Sequence, residues 1–201
     1  MTKEKDVDII SAENADHVEF LSTGIEDFDE MIGGGIPIGR ITTFTGDYSA
    51  GKSALSLAIT AAAQKAGYRC LIGDVERSFS RTQATVCGVD LKKLEILRAP
   101  FGEKLLDDIE NYIYSDKRKK PAFVVLDSYS MLSPRNEMES PNERAGMMEK
   151  SRMMAKFLRK IINYVADTDS ILLIIAHDYL TVLPGGRQKN VLAGGDAMAK
   201  S

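Results

Sequence analysis

The chain has 201 residues, 44% of them hydrophobic, which is enough for one well-packed α/β domain and excludes a disordered or fibrous composition. A formal charge of −3 excludes a generally basic nucleic-acid binder, so contact with a polyanion would have to come from a local basic patch. The two cysteines, Cys70 and Cys87, form no C-x-x-C pair and have no His-rich neighbourhood, which argues against a metal cluster and reads as two buried thiols in a reducing compartment. Apolar runs such as Ile171–Ala176 are strand-length, and the charged N-terminus has no apolar signal core behind it. The expectation is a soluble, cytoplasmic protein with no membrane span.

In chain order, residues 1–17 are polar and without a clear period, and 1–20 are read as a leader or arm ahead of a core domain, 21–201. Ile25, Phe28, Met31 and Ile32 then recur at helical spacing, predicting a short helix with Ser or Thr at its start and a Gly-rich exit through Gly33, Gly34 and Gly35. The β-branched run Arg40–Thr45 predicts a strand, and Ala54–Ala66 a helix. Between them stands Gly46-Asp47-Tyr48-Ser49-Ala50-Gly51-Lys52-Ser53, which fits the phosphate-loop pattern G-x-x-x-x-G-K-[ST] at every fixed position. Its glycines let successive N–H groups point at one phosphate cluster, where the following helix dipole adds positive potential. In that pattern Lys52 reaches the β- and γ-phosphates, and Ser53 is a Mg²⁺ ligand.

Arg69–Val75 predicts a second strand ending at Glu76, and Leu94–Arg98 a third. Leu105, Ile109, Tyr112 and Ile113 mark one face of a helix over Phe101–Ser115, and the basic run Lys117–Lys120 reads as its solvated end. Ala122–Asp127 is an apolar strand ending in a carboxylate placed to hold Mg²⁺ opposite Ser53. A loop over Ser133–Arg144 leads to a long helix reaching Ala166, with Met154, Phe157, Leu158, Ile161, Ile162 and Val165 on its apolar face. Arg152, Lys156 and Arg159 share the other face, which by itself reads as a charged exterior. Ile171–Ala176 is a fifth strand ending in His177-Asp178. The remainder predicts a long segment without structure of its own, and its end after Gly194-Gly195-Asp196-Ala197 reads as part of something longer.

These pieces in register resemble the ATP-binding core of the RecA-type recombinases, including their bacteriophage members. The most specific are Leu21-Ser22-Thr23-Gly24, Gly34-Gly35-Ile36-Pro37-Ile38-Gly39-Arg40, Gly88-Val89-Asp90, Val124-Val125-Leu126-Asp127-Ser128, Arg152-Met153-Met154 and Gly194-Gly195-Asp196-Ala197. The resemblance implies a RecA-like P-loop NTPase fold: a mostly parallel central sheet flanked by helices, with the Ile171–Ala176 strand between the phosphate-loop strand and the Asp127 strand. It implies a Mg²⁺-dependent, DNA-stimulated ATPase in which Glu76 polarises the attacking water and His177 senses the γ-phosphate. It also implies contact with single-stranded DNA through 137–148 and 178–193, with Arg152 and Arg159 on phosphates, Met147 as a wedge between bases, and Arg187 and Lys189 adding charge. The implied assembly is a homo-oligomeric filament. Family members often stack an aromatic residue on the adenine where this chain has Gln83, and the usual final strands, C-terminal domain and polymerisation segment are not recognisable in it. A helicase- or clock-type ATPase and a nucleotide-holding regulatory module without turnover remain as alternatives.

Overall fold

The structure is a computed structural model, and it describes residues 18–115, 120–139, 143–182 and 188–192. A five-stranded, all-parallel sheet forms its centre, built from β3 (Ile41–Phe44), β4 (Arg69–Asp74), β5 (Leu94–Leu97), β6 (Ala122–Asp127) and β7 (Ile171–Ile175). The spatial order is β3-β7-β6-β4-β5, so β7 lies between the phosphate-loop strand and the Asp127 strand as the resemblance implies. Parallel strands need crossover connections, and helices α2 (Lys52–Lys65), α4 (Gly102–Ser115) and α6 (Glu143–Asp167) provide them. A small antiparallel pair, β1 (Phe20–Leu21) with β2 (Ile36–Pro37), flanks the sheet, with α1 (Glu26–Met31) between its two strands.

Continuous apolar runs suit β6 and β7 because both faces of these strands are covered. Side chains alternate across the sheet with period two. Val124, Leu126, Leu172 and Ile174 enter the core shared with α4 and α6, while Phe123, Val125, Leu173 and Ile175 enter the core shared with α2. Each fully buried Val, Leu, Ile or Phe contributes about 1.5–3 kcal/mol of transfer free energy, so these two strands form the most heavily stabilised part of the sheet. Cys70 is buried, which pushes its thiol up to about 12, whereas Cys87 is only half-buried, not fully buried as expected.

Three local expectations need correction. The predicted Ser or Thr at the start of α1 does not cap it: the N-cap is Ile25, and the Ser22 and Thr23 hydroxyls each donate at 2.6 Å to the Asp29 carboxylate inside the helix. A charged acceptor within reach makes the stronger bond. The 133–144 segment contains a short helix, α5 (Arg135–Glu139). Finally, the stretch after His177 forms an antiparallel pair, β8 (Asp178–Val182) with β9 (Gln188–Leu192). Its alternating register was hidden by the Pro-Gly-Gly run between the two strands, which reads as loop.

Candidate functional site

Parallel α/β sheets bind ligands beyond the carboxyl ends of their strands, where strand order switches. Here β3, β4, β6 and β7 all deliver their carboxyl ends to one place. The chain leaves β3 into the 46–53 loop, in which Ser49 (φ 61°) and Gly51 (φ 87°) take left-handed conformations just before α2 begins at Lys52. Gly51 is the N-cap of α2 and gives it no side-chain cap, leaving the first turn's N–H groups for an external acceptor. Lys52 is nine-tenths buried, and its Nζ donates to the loop's own carbonyls, Gly46 O at 2.8 Å and Asp47 O at 2.6 Å.

Asp127 at the end of β6 lines one cavity with Ser53, the residue after Lys52. Burial pushes its carboxyl above the ordinary range; the nearby Ser53 hydroxyl opposes this, the charge of Glu76 reinforces it, and His177 opposes it. The leading cause is desolvation, since among the described residues no cation bonds the Asp127 carboxylate.

Glu76 lies just past β4, and the chain turns away behind it through Arg77 at φ 54°. Its Oε1 accepts from the Ser128 hydroxyl at 2.5 Å and lies 3.2 Å from His177 Nε2, a contact between residues 101 apart in sequence. With the carboxylate as acceptor, Nε2 is the nitrogen that donates in this contact. The His177 ring is over nine-tenths buried, and Tyr48 of the phosphate loop stacks on it, centroids 3.9 Å apart and planes 11° from parallel. The His177 main-chain N–H donates to Ser130 Oγ at 2.8 Å.

Asp74, the other carboxylate at the end of β4, is already committed. Its Oδ2 accepts from Arg98 Nε at 2.9 Å and from a second Arg98 nitrogen at 2.6 Å, and its Oδ1 accepts the Ser78 N–H at 2.9 Å. Gln83, on α3 (Arg81–Val86), lines a cavity of about 190 Å³ together with Ser53, Asp74 and Asp127. A phosphate loop, the Ser53 and Asp127 side chains and the Glu76–His177 pair thus meet at the carboxyl ends of the strands.

The sequence pattern of the RecA N-terminal domain matches residues 3–198. The chain belongs to the RecA family. It is 34% identical to the protein RecA of Mycoplasma genitalium over 194 residues, covering 95% of this chain and 56% of that protein. Against the protein RecA of Mycoplasma pneumoniae it is 33% identical over 196 residues, covering 96% and 57%. The mitochondrial DNA repair protein recA homolog of Dictyostelium discoideum is 31% identical over 182 residues, 90% of this chain and 40% of that protein. The chain therefore spans a little over half the length of the two Mycoplasma relatives.

Within this RecA-family core, the candidate nucleotide residues converge and the candidate DNA residues are more scattered. Arg152 and Arg159 are both exposed on α6. Arg152 and Lys156 line a groove of about 680 Å³ whose opposite wall is α4, with Glu103, Asp107 and Glu110, and Lys160 reaches Glu110 at 3.4 Å. Arg159 stands apart from that groove. Met147 lies in α6 and Lys189 in β9, but their side chains, like the whole of Arg187, are outside the described residues. Sequence reading missed Ser128 as a partner of Glu76, the Tyr48–His177 stack and the Arg98–Asp74 pair. Each joins residues far apart in the chain, and none has a local periodicity to announce it. No helix among the described residues is long and apolar enough to cross a membrane.

Proposed function

We propose that this RecA-family core binds ATP with Mg²⁺ on the 46–53 loop, hydrolyses it, and couples hydrolysis to single-stranded DNA held along α6. It would act in homologous recombination and repair as a homo-oligomeric filament. The observation that carries the reading is the Glu76–His177 pair at the mouth of the phosphate loop, where an attacking water and a γ-phosphate would meet.

The residues present suit Mg²⁺: Ser53 and the half-buried Asp127 line one cavity beside the phosphate loop, and both supply oxygen donors of the kind a hard cation prefers. When bound, the ion neutralises charge building on the phosphate oxygens. Lys52 would exchange its two loop carbonyls for phosphate oxygens, a stronger, charge-assisted contact. Glu76 is the base that orients water, and Ser128 and His177 hold its carboxylate in place. His177 would lend its Nε2–H to the γ-phosphate, loosening its hold on Glu76 and moving the backbone that leads into β8. The engagement of Asp74 with Arg98 and Ser78 favours Glu76 over it as the base.

Phosphate release should be measured with and without single-stranded DNA, on this chain and on a C-terminally extended form. DNA-stimulated turnover supports the reading. Tight ATP binding with no turnover in either form would favour a regulatory nucleotide-holding module.

A further inference from the structure

Lys150 sits on α6, two residues before Arg152, but it faces the opposite way. It is only partly exposed, and burying an ammonium is costly unless its protons find acceptors. Its Nζ donates to the Ser130 carbonyl at 2.5 Å and lies 5.1 Å from the centre of the Tyr129 ring. Burial holds its pKa below the ordinary lysine value, against the opposing charge of Glu137.

The acceptor makes this lysine more than a local tie. Ser130 lies in the short 3₁₀ turn Tyr129–Met131 that follows β6, three residues past Asp127, and its hydroxyl accepts the His177 N–H at 2.8 Å. One residue therefore bonds α6 through its carbonyl and the end of β7 through its side chain. From His177 the contacts continue to Glu76 at 3.2 Å and to the Tyr48 ring of the phosphate loop. The outward face of the same stretch of α6 carries Arg152.

We propose that Lys150 is a positioning residue: through Ser130 it ties the placement of α6 to His177, and so to the Glu76 carboxylate. The inference rests on the function proposed above, in which α6 meets DNA phosphates and His177 meets the γ-phosphate. DNA that shifts or steadies α6 would be felt at His177 without Lys150 touching DNA.

Lys150→Met keeps the alkyl stem and removes the donor, and Lys150→Arg restores one. In nucleotide-free protein, the His177 amide proton signal should move upfield in Lys150→Met and return toward the parental position in Lys150→Arg. In turnover assays, Lys150→Met should lose about tenfold of the DNA stimulation, within the usual range of coupling between sites, while keeping its ATP affinity. The salt dependence of its DNA binding should not change. A drop of about one counterion in that slope would make Lys150 a phosphate contact and overturn the proposal. Unshifted His177 signals would overturn it as well. If Lys150→Met does not fold, Ser130→Ala, which removes the hydroxyl and keeps the carbonyl, should show the same amide shift and the same loss of stimulation; parental behaviour there counts against the proposal. Absence of any turnover in the parent would instead overturn the proposed function, and the nucleotide-free amide shift would still decide whether Lys150 positions His177.

Discussion

Replacing Glu76 by Gln isolates the charge of the proposed base from its shape. In the structure both donors to Glu76, the Ser128 hydroxyl and His177 Nε2, converge on Oε1. A glutamine carbonyl oxygen at that point accepts the same two bonds, so the pocket should keep its geometry. Hydrogen bonds to a charged acceptor contribute about 1.5–3 kcal/mol and neutral ones about 0.5–1.5, so two weakened bonds should cost roughly 1–3 kcal/mol of stability. Loss of the base should cost turnover on the order of 10²–10⁴-fold, about 2.7–5.5 kcal/mol in the transition state. Phosphate release at saturating Mg-ATP, beside titration calorimetry with a slowly hydrolysed analogue, separates the two effects. The expected result is a rate at least about a hundredfold lower with binding nearly unchanged, and slower release of single-stranded DNA because the variant stays in its ATP state. Near-parental turnover would refute the reasoning and show that another group activates the water, with Asp74, held by Arg98 and Ser78, the first candidate. Lost ATP binding would show that Glu76 holds the site together instead.

Asp127→Asn gives a prediction in pH. Burial raises the Asp127 pKa, so its contribution to stability is fully present below the ordinary carboxylate value of 3.8 and is lost as pH rises through the folded-state value. At neutral pH the ionised group therefore costs stability, and the variant should melt higher than the parent without nucleotide. The gain should shrink as pH falls toward the carboxylate range, and Mg-ATP should no longer raise the melting temperature. A variant less stable than the parent at pH 7, or one still protected by Mg-ATP, would contradict this account. Arg152→Ala with Arg159→Ala should weaken single-stranded DNA binding and flatten its salt dependence by roughly two counterions. An unchanged slope would make the stripe a solvated face paired with the acidic wall of α4.

Where a signal was local, the chain was readable. The 46–53 loop, the β6 strand ending in Asp127 and the alternation of strands with helices all followed from short-range pattern, because period and turn chemistry are set by neighbours. The position of β7 between β3 and β6 followed only from family resemblance, since no periodicity says which strands pair. Contacts that depend on that order were not legible. Ser128 and Glu76 are 52 residues apart and meet because β4 and β6 are neighbours, while Asp74 and Arg98 are 24 apart and meet because β4 and β5 are neighbours. The basic stripe was visible at helical spacing, but the acidic wall facing Arg152 and Lys156 comes from α4 and appears only in the packed fold.

The central claim is that the 46–53 loop holds a nucleotide triphosphate through Lys52. Its ammonium sits on the Gly46 and Asp47 carbonyls, poised at the loop's centre, and among the described residues no other cation bonds those groups. Titration calorimetry of Mg-ATP into the parent and into Lys52→Ala tests this most directly. The account predicts saturable binding in the parent and its abolition in the variant, while unchanged affinity in Lys52→Ala would contradict it.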